Sequence, residues 1–255
     1  MQCETEVEQQ AFSVINQPAL FKKKGVFVFD QVLVANSECN DVKLDELCFN
    51  EFSDCFKNLV EDVYMKDGDT YRYRRFSEFR LTIEDEKIEI ELLPHRTFNQ
   101  SKDLNSYSGG YDRVYPPLEE HIISNPFLHQ LMVDVYLQLP ESERTASKHW
   151  EIGVHLYRIV GKEQAPGFPA PEGAHQDGHD FTSITLIDRS NVVGGESIFL
   201  DFDKKVRIKH VLSEPIETAI FNDRKGLHDV TPIRPENINK IATRDVCGFS
   251  LNPIK

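Results

Sequence analysis

Glu151-Ile152-Gly153-Val154-His155-Leu156-Tyr157-Arg158-Ile159-Val160 places Ile152, Val154 and Leu156 on one parity and Gly153, His155 and Tyr157 on the other. That period of two belongs to a β-strand with two different faces. Similar short runs lie near 180–187, 196–202, 206–212, 216–222 and 243–251, separated by Gly, Pro, Asn and Asp turn signals. Many short strands without a helical period predict a β-sandwich or barrel. The Pro- and Gly-rich stretch from Gly161 to Gly173 is long for a plain turn, and ordered loops of that length are often functional.

Working outward, Asp69 to Leu93 also alternates, as in Tyr71-Arg72-Tyr73-Arg74-Arg75-Phe76 and Lys87-Ile88-Glu89-Ile90-Glu91-Leu92. Phe127, Leu131, Val135 and Leu139 recur at helical spacing before Pro140, and Phe52, Phe56, Leu59, Val60 and Val63 read as an amphipathic helix. Gly25 to Phe29 reads as a strand, and the polar first 20 residues as a short helix ending near Pro18. The fold class expected is mainly β with flanking helices (α+β).

The 255 residues are 40% hydrophobic and 28% charged, an ordinary globular balance. With 42 acidic against 29 basic side chains the formal charge is -13, which repels phosphate backbones and anionic lipid surfaces and argues against nucleic acid as a partner. The one basic run, Lys22-Lys23-Lys24, reads as a solvated turn. Five cysteines (Cys3, Cys39, Cys48, Cys55, Cys247) form an odd set with no CxxC, and no apolar stretch approaches a membrane span. The N-terminus carries no apolar core of a secretory signal, so a reducing, cytoplasmic setting is expected.

Chemistry concentrates in Ala174-His175-Gln176-Asp177-Gly178-His179-Asp180-Phe181, with two imidazoles and two carboxylates. In an extended chain residues two apart share a face, so His175, Asp177 and His179 would point the same way, and either His could pair with Asp177 around one ion. Imidazole with carboxylate and no thiolate suits Fe(II), Mn(II) or Zn(II). A third ligand must come from elsewhere, and His228, 53 residues beyond His175 in Leu227-His228-Asp229-Val230-Thr231-Pro232-Ile233, is the natural candidate. Two His and one carboxylate form a facial triad that leaves coordination positions open.

These runs, together with Asn191-Val192-Val193-Gly194-Gly195-Glu196-Ser197 and Arg244-Asp245-Val246, resemble in order and content the 2-oxoglutarate/Fe(II)-dependent dioxygenases. Within that family they look most like the bacterial free L-amino-acid hydroxylases of the L-isoleucine dioxygenase type, over roughly 150–251. The resemblance implies a double-stranded β-helix (jelly roll, cupin-like) in a single domain, 1–255. In that division 1–145 would supply helical and strand elaborations and 146–255 most of the metal-binding core. It implies His175, Asp177 and His228 as catalytic iron ligands, with His179 supporting the metal ligands or facing the substrate. Arg244, 16 residues past His228, is implied as the anchor of 2-oxoglutarate, and a guanidinium fork suits that carboxylate. Arg234 is its rival, but it sits between Ile233 and Pro235 where the chain turns.

The activity implied is hydroxylation of an aliphatic C–H, or oxidation of sulfur, in a free L-amino acid with release of succinate and CO2. Fe(II), 2-oxoglutarate and O2 are the implied cofactors, with ascorbate as reductant in vitro. An amino acid needs a cation for its carboxylate and an acceptor for its ammonium. Tyr73, Arg74 and Arg75, with His155, Tyr157 and Arg158, supply the candidates, and Arg75 and Tyr157 are singled out beside His179. Two other functions compete: a non-oxidative, metal-dependent cupin-like isomerase or hydrolase, and a non-catalytic ligand-binding β-barrel. The first of these requires neither Arg244 nor succinate.

Overall fold

A computed structural model describes residues 10–21, 25–35, 46–105, 107 and 109–255. Lys22, Lys23, Lys24, Cys3 and Cys39 lie outside them. The long central strand predicted from 151–160 is β6 (His149–Gly161), and it organises the main sheet. On one side it pairs antiparallel with β4 (Arg72–Glu84), on the other with β14 (Ala242–Pro253). Beyond β4 come β5 (Lys87–Leu92) and β1 (Ala11–Ile15), and beyond β14 come β7 (Phe181–Ser190), β11 (Thr218–Asn222) and β2 (Val32–Ala35). A two-residue strand, β3 (Val60–Glu61), also pairs with β4.

Strand parity decides what each face carries. Trp150, Ile152, Val154 and Leu156 of β6, Phe79 and Leu81 of β4, and Cys247, Phe249 and Leu251 of β14 turn to one side and are buried. After the one-turn helix α2 (Glu120–Ile123), the helix α3 (Pro126–Gln138) covers that side with Phe127, Leu131 and Val135. The helix opens with Pro126, behind an Asn125 side chain that accepts from the Phe127 amide at 2.9 Å, a normal N-cap arrangement. Asp134, buried within α3, accepts backbone N–H bonds from Ala19, Leu20 and Phe21 and so ties that segment to the core. The opposite parity of the same strands faces a cavity.

A smaller sheet, β10 (Val206–Val211), β9 (Glu196–Leu200) and β12 (Leu227–Val230), supplies another part of the cavity wall, and β8 (Val192–Gly194) pairs with β13 (Ile233–Pro235). Among the described residues no helix is long and apolar enough to cross a membrane.

Three expectations are corrected. Ala11–Ile15, expected within a helix, is an edge strand, with Phe12 and Val14 turned inward and Ala11, Ser13 and Ile15 exposed. Gly25 to Phe29 is no strand: only Val28 bridges, to Val32, and Phe29 and Asp30 adopt left-handed φ of 53° in a turn. The helix expected over Phe52 to Val63 stops early. The helix α1 (Glu46–Asp54) runs into one 3-10 turn, Leu59 becomes extended, and Val60 joins β3, leaving Val63 76% exposed.

Candidate metal centre and co-substrate pocket

His175 and His228 form a one-residue antiparallel bridge, His175 N–H to His228 C=O at 3.0 Å and the reverse at 2.9 Å. Their rings therefore sit side by side, with centroids 4.2 Å apart. Asp177 completes the cluster: one carboxylate oxygen lies 3.5 Å from His175 Nε2 and the other 3.5 Å from His228 Nε2. One ligand atom from each of the three lies within 4.8 Å of the others.

The alternation of an extended strand does not bring this about. Residues 176–180 form no strand; the chain bends at Gly178, where φ is +87° and an added Cβ would stand 2.5 Å from a Leu104 methyl. Asp223, at the end of β11, holds the bend. Its carboxylate accepts from the amides of Asp177 (3.1 Å), Gly178 (2.7 Å) and His179 (3.2 Å). Burial, aided by the Asp177 charge, pushes the Asp223 carboxyl up to about 6. Gln100 adds a bond to the Asp177 carbonyl at 3.1 Å.

Electrostatics follow from this crowding. Burial opposes charge on His175, but Asp177 and Glu172 outweigh it and push its pKa up to about 9. Burial and the His175 charge press His228 down to about 3. Burial would raise Asp177, yet His228 and His175 hold it well below the usual carboxylate range. His175 Nδ1 donates to the Gly173 carbonyl at 2.7 Å, so Nε2 is the nitrogen left to meet an ion.

The main sheet forms the wall opposite. Register places Arg72 beside Ile159 and Ile159 beside Arg244; in the next row Arg74, Tyr157 and Val246 align, and in the third Phe76, His155 and Gly248. Arg244 is 1% exposed, and its Nε and Nη2 have no hydrogen-bond partner. Burial, with Arg189 nearby, draws its pKa down to about 10, so it stays a cation. Gly195, at φ +70°, leaves room beside it: a Cβ there would lie 3.2 Å from Arg244 Cδ. Arg234 instead points outward from β13, exposed, and reaches only the Glu163 carbonyl at 3.4 Å.

The chain matches the family model described as 2OG-Fe dioxygenase over residues 53–250. It belongs to that family. Among curated relatives of this dioxygenase, 3(1)-hydroxy-L-isoleucine 4-dioxygenase of Pantoea ananatis is 27% identical over 210 residues, 80% of this chain and 79% of the relative. L-isoleucine-4-hydroxylase of Bacillus thuringiensis is 23% identical over 232 residues, 90% and 92% of the two chains. The crystal structure of a bsmA homolog from Methylobium petroleophilum PM1 superposes with a TM-score of 0.77 at 28% identity, covering 88% of this chain and 89% of that one. IDO from Bacillus thuringiensis gives 0.67 at 19% identity, covering 89% and 96%, a likeness of fold. The fold is the jelly roll expected.

The family implies Fe(II), 2-oxoglutarate and O2. The dioxygenase's own atoms fit them. Two imidazole Nε2 atoms and one carboxylate converge as an N,N,O donor set suited to Fe(II). A buried cation with two unsatisfied N–H groups on the same cavity suits a carboxylate.

Of the proposed substrate residues, His179 and Tyr157 line this cavity. His179 Nδ1 accepts from Asn252 at 2.9 Å, and Tyr157 lies parallel to His155 with centroids 5.7 Å apart. Arg75 does not reach it, a correction that parity explains: odd residues of β4 face the helical layer. Arg75 instead donates to the Pro117 carbonyl at 2.8 Å and pairs with Glu119 at 3.1 Å. Arg74, one residue earlier, takes the cavity position. The sequence reasoning also missed Glu172, Asp223 and Gln100. Arg74 stood among the sequence candidates, but only the pairing of β4 with β6 shows that it faces the cavity in place of Arg75; nothing local marks the others.

Proposed function

We propose that this dioxygenase hydroxylates an aliphatic C–H, or oxidises sulfur, in a free L-amino acid, with 2-oxoglutarate and O2 converted to succinate and CO2. The observation that carries the reading is one cavity holding both the His175, Asp177 and His228 donor set and the unpaired Arg244 guanidinium. In this reading His175, Asp177 and His228 hold Fe(II) and Arg244 pairs with the distal carboxylate of 2-oxoglutarate. Bound there, the metal supplies activation of O2, coupled to oxidative decarboxylation of the co-substrate.

The protein's part is positional. The Gly173 carbonyl fixes the His175 ring, and the Asp223 carboxylate fixes the backbone that carries Asp177. Ile159, Ile184 and Val246 line the pocket and keep it apolar around the cation. The amino-acid substrate is carried by the names of the Pantoea and Bacillus relatives. We also read the described residues as one domain, because the cavity wall is shared by β4, β6 and β14. A cytoplasmic setting is kept on cysteine usage: the buried Cys55 and Cys247 are free thiols.

The test is anaerobic loading with Fe(II), then 2-oxoglutarate, ascorbate, air and the pooled standard L-amino acids, following succinate and products by mass spectrometry. Succinate with a +16 Da product is the expected result. Bound Fe(II) with no succinate would overturn the proposal in favour of the non-oxidative or binding-module functions.

A further inference from the structure

Glu172 stands three residues before His175 in the loop between β6 and β7, and its carboxylate lines the cavity. The side chain is 10% exposed, with Oε1 3.3 Å from His175 Nε2. Oε2 is buried and makes no hydrogen bond. His175 Nδ1 is already bonded to the Gly173 carbonyl, and Glu172 Oε2 keeps its full acceptor capacity toward the cavity. A buried carboxylate left bare costs free energy that a cationic ligand removes. Glu172 is not among the three residues whose ligand atoms converge, so it is anionic wall beside the metal.

The sheet wall has the opposite sign. Arg74, its side chain 3% exposed, donates from Nη2 to His155 Nδ1 at 2.7 Å, which makes that imidazole a neutral acceptor. Its Nη1 is 4.0 Å from Asp62, whose nearer partner is Arg72 at 2.8 Å. One carboxylate between two guanidinium groups leaves net positive charge there. The Nε of Arg74 has no hydrogen-bond partner, and Tyr115 and Tyr157 hold the guanidinium plane, at 3.6 and 4.6 Å from their ring centroids.

We infer that Glu172 accepts the α-ammonium group of the substrate and that Arg74 takes its α-carboxylate. This assignment rests on the amino-acid reading above and gives it a structural basis. A residue inside a peptide carries neither charge, so the pair selects free amino acids over peptidyl ones. It also orients the side chain of the substrate relative to the triad, because two fixed charges define an axis.

The experiment is calorimetric binding without oxygen, on protein carrying Mn(II) and 2-oxoglutarate, with L-isoleucine, 3-methylpentanoate (no ammonium) and L-isoleucinamide (no carboxylate) as probes. The remaining standard L-amino acids are run in parallel with their matching analogues. Wild type is expected to bind the amino acid at least about 10-fold more tightly than either analogue. Glu172→Gln should weaken the amino acid about 10- to 100-fold, as for loss of a charged hydrogen bond, and leave the deamino analogue within about twofold. Arg74→Gln should weaken the amino acid and the deamino analogue alike and spare the amide, with Arg74→Lys, which keeps the charge, falling between. 2-oxoglutarate affinity should not move in any variant, nor Mn(II) affinity in the Arg74 variants, which separates substrate reading from folding. Unchanged amino-acid binding in Glu172→Gln overturns this assignment alone, and so does an equal weakening of the amino acid and the deamino analogue, which would make Glu172 a support of the metal centre and not the ammonium acceptor. Wild type that binds no standard amino acid overturns the amino-acid reading with it, leaving the triad and Arg244 to the succinate assay.

Discussion

Replacing Arg244 by Met separates the role of that side chain in binding from its role in stability. The guanidinium is fully buried, faces a second cation in Arg189, and leaves Nε and Nη2 without acceptors. An unpaired buried charge destabilises the protein that carries it, so an apolar side chain of similar length should leave the ligand-free fold as stable as before, or more so. Binding should respond in the opposite sense. Two charge-assisted hydrogen bonds are worth about 1.5–3 kcal/mol each, so losing both removes about 3–6 kcal/mol, or about 10²- to 10⁴-fold in the Kd for 2-oxoglutarate. In urea denaturation of the Mn(II) protein, 2-oxoglutarate at 100 times the wild-type Kd should stabilise wild type by about 2.7 kcal/mol. The same concentration should give Arg244→Met no more than about 0.4 kcal/mol, the value for a Kd weakened 100-fold. Arg234→Met serves as control and should keep the full effect. Full stabilisation retained by Arg244→Met, or lost by Arg234→Met, would refute the assignment of the anchor.

Asp134→Ala strands three backbone N–H groups, buried at Leu20 and Phe21 and half-buried at Ala19, and should cost about 3 kcal/mol in urea denaturation; a loss under 1 kcal/mol would contradict the tether described. Gly178→Ala meets both a left-handed φ and the Leu104 methyl at 2.5 Å, so it should weaken Mn(II) binding by displacing Asp177. Gly173→Ala, at φ +74° with nothing within 4 Å, should show only the backbone penalty of about 1–2 kcal/mol. Arg75→Gln removes a partly exposed ion pair with Glu119 and should shift stability by no more than about 1 kcal/mol, with amino-acid binding unchanged.

The strands and α3 were legible because their burial is one-sided and written in period: β4, β6, β7 and β14 fall where alternation predicts them. The three misread segments have weaker patterns. Phe12 and Val14 alternate over only five residues, on a strand paired along one edge. Val60 and Val63 continue a helical spacing by coincidence, and neither is buried. The His175, Asp177 and His228 set was legible as chemistry, while its geometry was not. Its convergence depends on a bridge between residues 53 apart and on the Asp223 carboxylate, neither marked by any local repeat. Arg74 and Arg75 show how narrow the margin is: the cluster was visible, but the cavity-facing member depended on a register that only strand pairing fixes.

Arg244 sits within a ladder bonded on both sides, to β6 and to β7, so the strand that carries it cannot slide by small amounts. Shifts that preserve facing come in steps of two residues, about 6.8 Å, whereas lengthening a 2-oxo diacid by one methylene asks for about 1.3 Å. Neither the anchor nor the Asp223-clamped triad can supply that increment by sliding. With Arg244 as the anchor, the distance between the two ends of the co-substrate works as a fixed gauge. Selection for a five-carbon diacid over its six-carbon homologue then belongs to the sheet itself: single side-chain changes in the pocket should relax it little, and a one-residue insertion in β14 should turn Arg244 off the cavity and abolish anchoring altogether.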